Sequence, residues 1–128
     1  MLTARLFMLT VRAWLDLAFI DLAMLAGFAR VHDRVRRTAV RGKTVAGVLP
    51  EDVVWAVDEA CVWYVKRAAC LQRSAVATRL MRRCGIAATL VIGCRPMPFE
   101  SHAWVEVDRR IVNDRPQYQK FFTVLERI

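Results

Sequence analysis

One cysteine, one histidine and one aspartate occupy positions from which they could act together as nucleophile, base and orienting acid. The pattern predicts that Cys70 begins a helix that ends at residues 84–85, and a helix N-terminus stabilises the negative charge of a thiolate. His102 opens a predicted strand, and Asp114 ends the next strand of a hairpin. A histidine can take the thiol proton, and a carboxylate can hold the imidazole in one tautomer.

The register of this hairpin tests whether His102 and Asp114 can meet. A regular two-residue turn would pair Val107 with Arg110 and would place the two side chains on opposite faces. A direct pairing of His102 with Asp114 needs a three-residue loop or a β-bulge. We therefore predict one of these two irregularities between the strands.

Arg73, Trp104 and Glu106 are candidate supporting or substrate-binding residues. Arg73 lies in the first turn of the predicted helix on its apolar face, so its charge needs a partner. An ion pair with Glu106 is favoured over contact with a substrate backbone. In a regular strand Trp104 and Glu106 share the face of His102, so packing beside the imidazole is favoured for Trp104 over direct substrate contact.

The elements that must position these residues are helices followed by strands, which indicates an α+β fold with a small antiparallel sheet. The first predicted helix begins at residue 2, has a break near Gly27 and ends in the basic segment between Arg30 and Lys43. Two further helices are predicted at residues 50–64 and 70–84. The predicted strands cover residues 87–94, 102–107 and 111–114. We divide the chain into an N-terminal helical region with a basic connector, residues 1–48, and a core of residues 49–128.

Length and composition limit the class of protein. The 128 residues predict one hydrophobic core rather than two domains, and 56% hydrophobic with 25% charged residues exclude a disordered chain. The net charge of +8 predicts an acidic partner without identifying it. The chain has four cysteines, none of them in a C-x-x-C pair, and only two histidines. We therefore expect no zinc site and no other metal site. We expect no cofactor.

The apolar N-terminal segment predicts an amphipathic helix rather than a membrane span or a signal peptide. Arg5, Arg12, Asp16 and Asp21 interrupt it, so no charge-free run has the length of a spanning helix. Arg5, Arg12, Asp16 and Arg30 fall on one polar stripe. Packing on the core or on a partner is favoured over weak association with a membrane surface. Because no secretory signal is evident, we expect reduced cysteines and a cytoplasmic location.

Several short segments occur in a characteristic order and spacing. They are CLQRS at 70–74, RRCGI at 82–86, VIG at 91–93, HAWVE at 102–106 and VND at 112–114. Together they resemble the lasso-peptide leader peptidases of the transglutaminase-like cysteine protease superfamily, in the stand-alone form without a fused leader-recognition domain. The resemblance extends from about Val53 to the C-terminus, and it implies a minimal transglutaminase-like or papain-like core.

The resemblance implies cleavage of a ribosomally made precursor peptide between its leader and its core. It further implies a separate leader-recognition protein and an ATP-dependent lasso cyclase as partners. Cys70 matches the nucleophile, His102 the base and Asp114 the orienting acid of the family. Arg109 stands where relatives often have glycine, which disfavours a type I′ turn and agrees with the predicted longer loop or bulge.

Two other functions remain open from the sequence. An acyltransferase or transglutaminase of the same superfamily would use the same three residues and transfer the acyl group to an amine. A non-enzymatic module would bind nucleic acid through the arginines between Arg30 and Lys43. Aromatic residues are not interleaved with those arginines, so we do not expect nucleic acid as a partner.

Overall fold

A helical N-terminal half precedes a four-stranded antiparallel sheet in the computed structural model, which describes residues 2–45, 47–97 and 99–128. The elements are α1 Leu2–Leu25, α2 Phe28–Arg37, α3 Pro50–Val62, α4 Cys70–Arg83, β1 Ala88–Pro96, β2 Phe99–Val107, β3 Arg110–Ile111, α5 Tyr118–Phe121 and β4 Thr123–Arg127. The strand order is β3-β2-β1-β4. The predicted α+β class is confirmed.

The first two helices are separated at Gly27, as predicted, because this residue has a φ of 106°, which glycine adopts without strain. The first part of the basic segment that follows is helical, as α2, and its remainder leads as a connector to α3. Val31 and Val35 are buried on one face of α2, and Arg37 pairs with Asp33 one turn earlier at 2.9 Å. None of the helices in the described ranges is long and apolar enough to cross a membrane.

Helix α3 begins where the sequence predicts. Pro50 occupies its first position, where the missing N–H costs nothing. The Asp52 carboxylate accepts a hydrogen bond from the Leu49 backbone N–H at 2.9 Å, which satisfies a donor at the start of the helix. The inward face of α3 is a row of small and branched apolar residues, Val53, Ala56, Val57 and Ala60.

The sheet has an apolar cluster on each of its faces. Ala103 and Val105 belong to the main core, which also contains buried residues of α1, α2, α3 and α4. Trp104, between them in sequence, points to the other face because side chains alternate along a strand. There it packs with Val91, Ile111 and Phe122 in a second, smaller cluster.

The polar stripe predicted for the N-terminal helix is wrong at Asp16. This residue is buried and pairs with Arg79 of α4 at 2.7 Å between carboxylate oxygen and guanidinium nitrogen. Burial raises the pKa of the Asp16 carboxyl, and the neighbouring Arg79 opposes that shift. Helical periodicity could not show this burial, because the partner charge comes from a helix more than sixty residues later.

The strands differ from the prediction in their bounds and number. The loop predicted for residues 95–101 is shorter, because β1 extends to Pro96 and β2 begins at Phe99; Pro98 lies outside the described residues. His102 therefore lies inside β2 rather than at its start. The helix α5 and the strand β4 were not predicted, and β4 pairs with β1.

The end of α4 is packed against the connector between α2 and α3. Gly85 has a φ of 83°, as expected for the residue after a helix. The Arg41 N–H donates to the Arg82 carbonyl at 2.8 Å, and the Val45 N–H donates to the Cys84 carbonyl at 2.9 Å. A Cβ atom on Gly85 would lie 2.6 Å from the Cα of Thr44 in this connector.

Gly85→Ala is therefore expected to lower the free energy of unfolding by about 1–3 kcal/mol, because it combines a strained positive φ with a backbone clash. Urea unfolding followed by circular dichroism measures the change. The matched control is Gly42→Ala, since a Cβ on Gly42 would meet nothing within 4 Å. Equal stabilities of the two variants would contradict this account of the connector.

Candidate active site

The hairpin between β2 and β3 has a two-residue turn, so the predicted three-residue loop or bulge is wrong. Val107 pairs with Arg110, and the two central residues, Asp108 and Arg109, have φ angles of 52° and 65°. Positive φ at both central positions is typical of a type I′ turn, whose twist matches that of the strands. The Gln119 side-chain amide donates to the Arg109 carbonyl at 2.9 Å and so supports the strained position.

His102 and Asp114 nevertheless meet, with 2.7 Å between the imidazole Nε2 and the carboxylate Oδ2. Strand β3 ends at Ile111, and the last backbone hydrogen bond of this pairing joins the Val112 N–H to the Val105 carbonyl. Beyond that point the chain bends away from the ladder, so the alternation of faces no longer applies. Asp114 lies after the strand and not at its end, contrary to the prediction.

The Asn113 side chain forms hydrogen bonds at the point where the backbone pairing of β2 with β3 ends. Its side-chain carbonyl accepts a hydrogen bond from the Val105 N–H at 2.8 Å, and its amide donates to the Ser74 hydroxyl at 3.0 Å. The Ser74 hydroxyl donates in turn to the Ala103 carbonyl at 3.1 Å. These three bonds join α4, β2 and the segment that carries Asp114. Sequence reasoning assigned no role to Asn113 or Ser74, although one precedes Asp114 and the other lies one helical turn after the candidate nucleophile.

Aromatic rings surround the imidazole of His102. The Tyr118 ring meets it edge-on at 4.6 Å between centroids, and the Phe122 and Trp104 rings lie at 5.8 Å and 6.2 Å. The side chains of His102 and Asp114 are only 18% and 21% exposed. Partial exclusion of water strengthens the hydrogen bond between them. Tyr118 is the first residue of α5 and Phe122 directly follows this helix, which no local pattern in the sequence predicts.

Trp104 and Glu106 share the face of His102, as predicted, but Arg73 does not pair with Glu106. The Glu106 carboxylate accepts hydrogen bonds from the Trp104 indole N–H at 2.9 Å and from the Gln119 amide at 3.3 Å. It also forms an ion pair with Arg127, whose Nε lies 3.7 Å away. The expected ion pair is wrong because Glu106 faces the smaller cluster, whereas α4 packs on the opposite face of the sheet. Trp104 is fully buried.

Cys70 is the first residue of α4, as predicted, and is half-buried. The preceding Ala69 provides no side-chain cap, so the first N–H groups of the helix are left to other acceptors. The Cys70 thiol forms no hydrogen bond with any residue that the structure describes, His102 included. Cys70 lies about 6 Å along the helix axis from Ser74. Because the Nε2 atom of His102 is hydrogen-bonded to Asp114, Nδ1 is the ring nitrogen that remains available to exchange a proton with a thiol.

A cavity of about 320 Å³ lies next to the start of α4. Its lining residues come from α3, from α4 and from the segment between them, and they are Asp58, Cys61, Val62, Arg67, Ala68 and Arg73. Burial raises the pKa of the Asp58 carboxyl; Asp114 adds to that shift and Arg73 opposes it. Arg73 and Asp114 are therefore close enough to Asp58 to act on its carboxyl group electrostatically. No local pattern in the sequence distinguishes Asp58 from the other acidic residues of α3.

The described residues thus offer an imidazole–carboxylate pair and a helix that begins with a thiol. No group of three or more histidine, cysteine, aspartate or glutamate side chains within the described ranges could hold a metal ion. A thiol, an imidazole and an orienting carboxylate are the groups that nucleophilic acyl chemistry requires.

Asn113→Ala is expected to lower the free energy of unfolding by about 1–3 kcal/mol, because it leaves the buried Val105 N–H without an acceptor. Thermal and urea unfolding measure the change. Gln117→Ala, which removes an exposed amide, is the matched control and should leave stability unchanged. An Asn113→Ala protein as stable as this control would show that the amide does not hold the junction.

Comparison with known proteins places the chain in a family. A family model described as the transglutaminase-like superfamily matches residues 7–127. The chain is also 41% identical over 59 residues to the microcin J25-processing protein McjB of Escherichia coli, a match that covers 46% of this chain and only 28% of that relative. No solved structure matches the chain at a significant level. Because the family match extends over nearly all of its residues, this chain belongs to the transglutaminase-like superfamily.

Proposed function

We propose that this protein is a cysteine peptidase that removes the leader from a ribosomally synthesised lasso-peptide precursor. The observation that carries the proposal is the 2.7 Å hydrogen bond between His102 and Asp114, tied through Ser74 to the helix that begins at Cys70. Membership of the transglutaminase-like superfamily supports thiol-based acyl chemistry. The name of the partly matching relative, which processes microcin J25, supports a peptide precursor as the substrate.

In the proposed reaction the Cys70 sulfur attacks the carbonyl carbon at the junction of leader and core. His102 takes the thiol proton and then gives it to the leaving amine, while Asp114 stabilises the imidazolium. The leader is left as a thioester on Cys70. A water molecule, deprotonated by His102, then hydrolyses this thioester to the leader carboxylate and the free thiol. The backbone N–H of Cys70 is the one oxyanion donor that we name.

Arg73, Trp104 and Glu106 have supporting roles in this proposal. Arg73 lines the cavity beside α4 rather than pairing with Glu106, which favours contact with the substrate backbone. Trp104 is buried and donates to Glu106, so these two residues support the strand that carries His102. The proposed partners are the precursor peptide, a separate leader-recognition protein and a lasso cyclase that closes the macrolactam. The proposed location is the cytoplasm, where thiols remain reduced.

Alkylation should identify Cys70 as the most reactive of the four cysteines. Burial raises the pKa of the Cys61 and Cys84 thiols, so both should react slowly near pH 7. Limited treatment with iodoacetamide followed by peptide mass mapping measures the order of labelling. Faster labelling of Cys61, Cys84 or Cys94 than of Cys70 would argue against Cys70 as the nucleophile.

Cleavage of a precursor should require Cys70 and not the other cysteines. The candidate substrates are short peptides encoded by reading frames beside the gene of this protein. Each is assayed with and without the larger proteins that the neighbouring genes encode. Cys70→Ala should abolish cleavage, and Asp114→Ala should slow it by roughly 100-fold or more. Cys61→Ala and Cys94→Ala are matched controls that should retain turnover. Full activity of Cys70→Ala would refute the proposal.

The same assay in H₂¹⁸O distinguishes hydrolysis from acyl transfer. Hydrolysis places one ¹⁸O atom in the new carboxyl group of the leader. Transfer to an added primary amine would instead give an amide without the label, which is the outcome expected of an acyltransferase.

A further inference from the structure

An apolar groove between α1 and α3 has no role in the chemistry proposed above. It has a volume of about 650 Å³, and its main walls are Phe7, Val11, Trp14, Trp55 and Trp63. Trp63 is 71% exposed and Phe7 is 67% exposed. Extended apolar surfaces of this kind mark interaction sites on soluble proteins, and tryptophan is enriched among the residues that dominate binding.

Three polar side chains of the groove form hydrogen bonds within the chain itself. The Trp14 indole N–H donates to the Trp63 carbonyl at 3.1 Å, and the Trp63 indole N–H donates to Glu59 at 3.2 Å. The Thr10 hydroxyl donates to the Leu6 carbonyl at 2.8 Å. These hydrogen bonds hold the walls in place and leave mainly apolar surface facing outward.

A row of apolar side chains, here called the α1 seam, continues from this groove along α1. Its members are alternately three and four residues apart, and all but the half-buried Ala18 are exposed: Met8, Val11, Leu15, Ala18, Leu22 and Leu25. This spacing is the one with which one helix packs along another, and the row is about 25 Å long. A different face of α1, with Leu9 and Leu17, is already buried in the core.

Positive charge borders the α1 seam on the side away from the groove. Arg12, Arg30 and Arg34 are exposed there, and none of them forms an ion pair with another residue that the structure describes. A second copy of this chain, with a net charge of +8, would bring like charges together. A concave groove beside a straight row of side chains also suits a helix better than a flat bilayer.

We infer that the groove and the α1 seam bind an amphipathic helix of a partner protein, with its apolar face along the seam and the adjoining groove and with acidic residues opposite Arg12, Arg30 and Arg34. Glu59, Ala60 and Trp63 line the groove, whereas Asp58 and Cys61 line the cavity beside α4. The partner therefore docks one helix away from the candidate active site. The inference concerns binding and does not depend on the reaction proposed for Cys70.

A synthetic helical peptide tests this inference. The probe is a fluorescently labelled 21-residue peptide with leucine at its a and d positions and glutamate at its e and g positions. The comparison peptide has lysine in place of every glutamate. Fluorescence anisotropy measures binding, and an independent signal comes from intrinsic emission, because three of the four tryptophans line the groove. Val11→Glu and Trp55→Ala alter the surface, and Met97→Glu adds the same charge at an exposed residue outside it.

The glutamate peptide should bind at least tenfold more tightly than the lysine peptide, and more weakly as salt rises. Val11→Glu and Trp55→Ala should each weaken binding at least tenfold, while Met97→Glu leaves it unchanged; thermal unfolding establishes that the variants are folded. Four outcomes would overturn the inference. They are no binding, equal binding of both peptides, a dimer in sedimentation that Val11→Glu dissociates, or binding to phosphatidylglycerol vesicles that Val11→Glu abolishes.

Discussion

The open edge of β2 is the constraint on which the candidate site depends. Because β3 has only two residues, the Ala103 carbonyl and the Val105 N–H have no strand partner on that edge, and buried backbone groups must be hydrogen-bonded. The side chains of Ser74 and Asn113 meet this need. One of them belongs to the helix that begins with the candidate nucleophile, and the other precedes Asp114. The bonds that complete the edge of the sheet are therefore the same bonds that position the helix and the carboxylate.

The opposite end of α4 is also held by hydrogen bonds from a side chain. The buried guanidinium of Arg82 donates to the carbonyls of Val35, Ala88 and Ile128 at 2.6–2.9 Å. These carbonyls belong to α2, to the first residue of β1 and to the C-terminal residue. Burial lowers the pKa of Arg82, and these carbonyl acceptors, with that of Thr38 at 3.3 Å, offset part of the cost of burying its charge. Hydrogen bonds at both ends thus hold α4 against the segments that carry the candidate site, as preorganised chemistry requires.

The helical half of the chain has two distinct surfaces. One face of α1 packs into the core, where Asp16 pairs with Arg79, while the α1 seam is exposed. A helix that is apolar on both sides is normally buried on both sides, so a single core does not account for this one. Helix α3 lies between the groove and the cavity beside α4. The proposed docking surface and the candidate active site therefore lie on opposite sides of one helix.

The sequence by itself determined the features that depend on neighbours along the chain. Pro50 with its acidic first turn and Gly85 after a helix are local signals, and the two helices that they delimit agree with the structure to within about two residues. The strand predicted over residues 87–94 agrees equally well with β1. Tertiary structure alone decided the burial of Asp16, the surroundings of Arg73 and the way in which a two-residue turn still brings His102 to its carboxylate. Each of these depends on a side chain supplied by a distant segment, or on the point at which a strand leaves its sheet. Periodicity describes which way a residue points along its own element, and it contains no information about what another element places there.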